Sequence, residues 1–103
     1  MEAPVTNSIT FIFNGPLLRF VDFTKEIEIA APNLDVALQR LLERYSQLAP
    51  ALLDGAGRIR RAHQMFLNGE NMDRRYFGDA QARSERAIQP GDSIFVLTAV
   101  AGG

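Results

Sequence analysis

From Ser8 to Phe13 the chain alternates, placing Ile9, Phe11 and Phe13 on one face. β-Branched and aromatic residues at period two predict a strand, and Asn14-Gly15-Pro16 supplies the turn chemistry that ends it. Lys25 to Ile29 alternates again, charged side chains out and isoleucines in, until Pro32. These two strands read as a hairpin with a long connection through Leu17–Phe23. A helix then begins, with Asn33 as N-cap and Asp35 in the first turn, where the helix dipole favours a carboxylate. Leu34, Leu38, Leu41, Leu42 and Tyr45 recur at helical spacing opposite Gln39, Arg40, Glu43 and Arg44. Pro50 and the stretch Asp54-Gly55-Ala56-Gly57 are expected to close the helical region.

The second half holds shorter elements. Gln64–Leu67 predicts a strand that ends at Asn68-Gly69, Arg74–Phe77 a short edge strand, and residues 78–87 an irregular polar stretch. Gln89-Pro90-Gly91-Asp92 reads as a turn, because proline presets one dihedral and glycine tolerates the positive one. It leads into the strand Ser93–Thr98. The order strand, strand, helix, strand, short strand, strand points to an α+β fold. The expected form is a β-grasp roll, a mixed sheet of four to five strands with one main helix packed across one face. The first and last strands have the richest apolar alternation and are placed side by side at its centre.

Composition narrows the chemistry. At 103 residues the chain fits one domain, with a body over about 8–98 and a tail over about 99–103. Cysteine is absent, which excludes disulfides, thiolate zinc sites and thiol nucleophiles. A net charge of −1 argues against a nucleic-acid or anionic-membrane binder driven by bulk electrostatics. Apolar runs of a few residues fall far short of the roughly 20 needed to span a bilayer. Met1-Glu2-Ala3-Pro4 has no basic, apolar leader, so a cytoplasmic protein is expected.

Candidate catalytic groups are few. His63, the only histidine, adjoins Arg60-Arg61 with no partner or orienter in its pattern, and reads as a surface or half-buried side chain. Glu26 and Glu28 are a solvated strand face, and Gly55-Ala56-Gly57 lacks the rest of a phosphate loop. No metal-ligand spacing occurs. Arg58, Arg60 and Arg61, and again Arg74 and Arg75, form basic clusters. Tyr76-Phe77 could offer stacking beside the second. A solvated face, or a match to an acidic patch on a protein partner, accounts for them better.

The end of the sequence is the informative part. Leu97-Thr98-Ala99-Val100-Ala101-Gly102-Gly103 continues a strand into small residues and two glycines. Without a Cβ, glycine can thread a narrow channel and let another backbone approach closely. Extended, Thr98–Gly103 reaches about 20 Å, enough to carry a terminal carboxylate into another protein's active site.

The segment from Pro90-Gly91-Asp92 to Ala101-Gly102-Gly103 resembles the terminal signature of the ubiquitin-like sulfur-carrier family, the MoaD/ThiS group, and its MoaD-like branch more than the ThiS-like one. Leu67-Asn68-Gly69-Glu70 is similar to that family's mid-chain turn, and Asp35–Leu42 to its helix. The extra length falls between Glu70 and Pro90, and Thr98 or Ala99 stands where a proline is often found.

The resemblance implies a carrier rather than an enzyme. Its Gly103 carboxylate would be activated by a ubiquitin-activating-enzyme-like adenylyltransferase of the MoeB/ThiF type, which brings ATP and Mg²⁺; the carrier itself would hold no cofactor or metal. A sulfur donor such as a cysteine desulfurase or rhodanese would leave a thiocarboxylate at Gly103. An acceptor enzyme, MoaE-like or cysteine-synthase-like, would take the sulfur toward molybdopterin, cysteine or homocysteine, or a sulfur-containing metabolite. Gly102 would give the freedom to thread, and Ala101, Val100 and Ala99 would form the neck read by partners. Phe95, Leu97 and Phe66 are the expected partner interface. Alternation puts Phe95 and Leu97 on one sheet face and Ile94 and Val96 on the other, without saying which face meets the helix. Two other readings keep the fold: a modifier joined to lysines through Gly103, and a non-covalent interaction module.

Overall fold

The structure, a computed structural model, describes residues 7–56, 58–72, 76 and 79–98. β1 (Ser8–Phe13) buries Ile9, Phe11 and Phe13, and β2 (Glu26–Ala30) buries Ile27 and Ile29 while its glutamates stay in water. They pair antiparallel with Phe11 opposite Ile27. The connection between them is a 3-10 helix, Gly15–Val21. Gly15 turns into it at φ 65° and Leu17 and Val21 drop into the core.

α1 (Leu34–Arg44) starts where predicted, the Asn33 side chain accepting from the Val36 N–H at 2.9 Å. Its inner stripe is Leu34, Ala37, Leu38 and Leu41. The helical region does not close at Pro50. A second helix, α2 (Leu48–Leu52), contains that proline in its first turn, where a missing N–H costs nothing. Leu48 and Leu52 anchor α2 in the core.

β3 (His63–Leu67) turns through Asn68 and Gly69, both at positive φ, into the two-residue edge strand β4 (Glu70–Asn71). This is the two-residue hairpin that Asn-Gly favours. An edge strand thus lies at 70–71, while Arg74, Arg75 and Phe77 of the strand expected at 74–77 lie outside the described residues. Of the expected residues only Tyr76 is described, and it lies in a turn. The stretch expected to be irregular contains a helix, α3 (Ala80–Glu85), started by the Asp79 side chain accepting from the Ala82 N–H at 3.1 Å.

β5 (Ser93–Thr98) completes one five-stranded sheet of order β2-β1-β5-β3-β4. β5 is parallel to β1 and antiparallel to β3. The first and last strands lie side by side inside the sheet, as expected. Helices and core cover one face, where Ile94, Val96 and Met65 are fully buried. Among the described residues, no helix is long and apolar enough to cross a membrane.

Candidate functional site

Which face of β5 meets the helices is now fixed. Ile94 and Val96 point into the core, so Phe95 and Leu97 point the other way. The register sets Phe95 between Ile12 of β1 and Phe66 of β3, forming a half-buried apolar row across the face turned away from the helices. Leu97, 38% exposed, lies one step further along β5, opposite Gln64. Phe95, Leu97 and Phe66 thus share one surface. Ile12 joins them, and its signal was available: it is the one apolar side chain in the outward phase of β1, after Ser8 and Thr10.

β5 is also the strand that runs on toward residue 99. Ala99, Val100, Ala101, Gly102 and Gly103 lie outside the described residues. The strand's last residue, Thr98, pairs with His63, the first residue of β3.

His63 departs from expectation. It is only 8% exposed and bridges two elements. Its Nε2 lies 2.9 Å from the Ala51 carbonyl oxygen, which can only accept, so Nε2 carries the proton. Nδ1 faces the Thr98 hydroxyl at 3.1 Å. The histidine ties the end of β5 to α2. The sequence hid this because Ala51 and Thr98 are remote from it along the chain.

The opposite end of β5 is held by Asp92, 6% exposed. One carboxylate oxygen accepts from the Gln89 N–H at 2.8 Å and from Arg86 at 3.0 Å; the other accepts from Asn68 Nδ2 at 2.9 Å and from Arg86 at 3.2 Å. Burial pushes this carboxyl up, but the bonds from Arg86, the Gln89 N–H and Asn68 outweigh it and hold it below the usual range. Asn68 returns the link by accepting from the Ser93 N–H at 3.0 Å. The Asn-Gly and Gly-Asp turns that carry much of the family resemblance therefore clamp together at the start of β5. Their role is structural.

Introducing a charge on the face away from the helices should separate folding from recognition. Phe95→Asp is expected to leave Tm within a few degrees, because that side chain faces away from the core. Association with a partner that reads this row should weaken about thirtyfold or more, as for a central aromatic anchor. Thermal unfolding and a binding isotherm check the two halves separately.

A sheet of this order with its helices on one face is the ubiquitin-like β-grasp fold, the architecture of the sulfur-carrier group that the terminal motif resembles. SAMP1, small archaeal modifier protein 1, of Haloferax volcanii superposes with a TM-score of 0.71 at 17% identity over 94% of this chain and 100% of its own. CysO of Mycobacterium tuberculosis gives 0.70 at 23% identity over 89% of this chain and 99% of its own. A chain of the BexX/CysO complex of Amycolatopsis orientalis gives 0.68 at 20% identity over 92% and 99%. At these identities the likeness is one of fold. No family model and no curated protein matches the chain.

Proposed function

We propose that this chain is a sulfur carrier, with Gly103 as the residue that carries the sulfur. One observation supports this above the rest: the central strand bearing the half-buried Phe95 and the exposed Leu97 is the strand that leads into Ala99-Val100-Ala101-Gly102-Gly103. A docking face and a threading tail on one strand allow a partner to grip the body while it works on the terminus.

The chemistry follows from the carboxylate. An α-carboxyl with a pKa of about 3.3–3.7 is an anion at neutral pH and resists nucleophiles. One of its oxygens attacks the α-phosphorus of ATP in an activating enzyme, pyrophosphate leaves, and an acyl adenylate forms. A persulfide sulfur of the donor then attacks the carbonyl carbon; the C–S bond forms, AMP departs with the C–O bond, and the product is an acyl disulfide. A second thiol attacks the donor-side sulfur, a disulfide forms between that thiol and the donor cysteine, and the thiocarboxylate leaves for an acceptor enzyme. Mg²⁺ and cationic side chains would come from the activating enzyme. The BexX/CysO complex is a case of a protein of this fold group assembled with another protein.

The second reading, a modifier joined to lysines, draws on the name of the H. volcanii neighbour, a small archaeal modifier protein. Intact mass decides between them. After incubation with ATP, Mg²⁺, an adenylyltransferase of the ubiquitin-activating type and a sulfur source, the carrier should gain the mass of sulfur exchanged for oxygen. Covalent ladders on other proteins without that exchange would favour the modifier. Neither change, with function surviving deletion of Gly102-Gly103, would leave a non-covalent module.

A further inference from the structure

Among the described residues the charges are polarised along β5. Thr98, where β5 ends, lies at the pole shared by the start of β3, the 3-10 helix, the start of β2 and the C-terminal end of α1. This pole carries Arg19, Lys25, Arg44, Arg58, Arg60 and Arg61, all exposed, against Asp22, Glu26, Glu43 and Asp54. At the far pole the described acids Glu28, Asp35, Glu70, Asp79, Glu85 and Asp92 outnumber Arg40, Arg83 and Arg86. The only ion pairs among the described residues, Arg83–Asp35 at 2.9 Å and Arg86–Asp92 at 3.0 Å, both lie there. Among the described residues, most guanidinium groups outside an ion pair thus lie at the pole where β5 ends.

Several of them are held in place. Arg19 lies over the Phe20 ring at 5.9 Å and Arg44 over the Tyr45 ring at 5.6 Å. Between them opens a cleft of about 220 Å³ that Asp22 also lines. Arg60 donates from Nε to the Pro50 carbonyl at 3.0 Å. Beside this cleft the backbone turns left-handed at two successive non-glycine residues, Asp22 at φ 53° and Phe23 at φ 57°. Aspartate tolerates that region, but a bulky aromatic does so at a cost in strain. Phe23 is nevertheless 74% exposed and contributes nothing to the core.

We infer that this pole is a second docking surface, in which Arg19, Arg44, Arg61 and Phe23 engage an acidic, apolar-notched rim around the entrance through which the activating enzyme receives the tail. The inference deepens the carrier reading and rests on it. A net acidic molecule with a basic pole is turned tail-first toward a negative rim, and such steering raises association rates about 10- to 1,000-fold at low salt. Arginine suits the location chemically. The chain has ten arginines and one lysine. A guanidinium stays charged and its planar fork matches the carboxylates of an acidic rim.

The test is ATP–pyrophosphate exchange by the source organism's adenylyltransferase of the ubiquitin-activating type, with the full chain as substrate. The variants are Arg19→Glu/Arg44→Glu/Arg61→Glu, Phe23→Gly, and Glu70→Arg/Glu85→Arg as a far-pole control. The triple variant should raise KM for the carrier about tenfold or more with kcat held, and should lose the salt dependence of the wild type. Phe23→Gly should raise Tm by relieving strain while also raising KM, a pairing that a purely structural role would not produce. The control should change neither parameter. Unchanged KM and salt slope in the triple variant, with active wild type, overturns the docking pole alone. Silence of the wild type in exchange and in intact mass overturns the carrier reading and the pole with it. Capture of single-stranded RNA by the wild type and not by the triple variant assigns the pole to nucleic acid and overturns the inference.

Discussion

A Gly102→Leu chain is expected to fold like its parent and to lose adenylation by about a thousandfold. Productive attack on the α-phosphorus needs the terminal carboxylate within near-attack distance, and a displacement of about 1 Å already costs roughly a hundredfold. A leucine side chain one residue from the reacting carbonyl would meet the walls of any channel narrow enough to exclude water. The neck could not advance, so kcat should fall with kcat/KM instead of KM alone rising. The fold should be indifferent, because every buried residue of the described core lies between Ile9 and Val96. Gly102→Ala should fall between the two. Far-ultraviolet circular dichroism and Tm check the fold, and pyrophosphate exchange checks the chemistry. An unchanged exchange rate for the leucine variant would sink the carrier assignment.

What could be read from the residues, and what could not, divides along a physical line. β1, β2 and α1 were legible because each has an unbroken period of its own, to which α1 adds a cap at Asn33, and β5 because the Pro90-Gly91 turn launches a short run of β-branched and aromatic residues. α2 was lost because a proline normally breaks a helix, whereas Pro50 falls in the first turn of a new one. α3 has no buried residue and hence no apolar period to betray it; only the Asp79 cap marked its start. The edge strand at Glu70–Asn71 is too short to show alternation. For the site, Phe95, Leu97 and Phe66 could be nominated from alternation, but their face could not, since both phases of β5 are apolar. His63 and the arginine pole depend on which chain ends meet, which is set by the antiparallel β3–β5 pairing for the histidine and by the parallel β1–β5 pairing for the pole.

The last prediction concerns the clamp at the start of β5. Asp92→Ala should destabilise the protein by about 3 kcal/mol, since it removes the carboxylate that accepts from Arg86, the Gln89 N–H and Asn68 in a partly desolvated place. For a domain of this size that corresponds to a fall in Tm of about 15 °C. Asp92→Asn should cost nearly as much. Every bond at this carboxylate is accepted, and an amide would aim a donor at either Gln89 or Asn68 and at Arg86 in both cases. Asn68→Ala should cost less, about 1–2 kcal/mol, because its side chain is partly solvated. The two positions should couple in a double-mutant cycle, since one hydrogen bond joins them. The pH dependence has a definite sign. The Asp92 carboxyl is depressed in the folded state, so its stabilisation is full above the unfolded value of about 3.9 and drains as pH falls through the folded one. Wild type should therefore lose stability on that acid limb, and Asp92→Asn should show a flatter one in denaturant titrations at successive pH values. An equal slope in both would mean that the carboxylate is not held as described. At temperatures where the variants remain folded, KM in the exchange assay should be unchanged. The Gly-Asp turn would then be a fold determinant that sets the register of β5, and through it the place from which the tail departs.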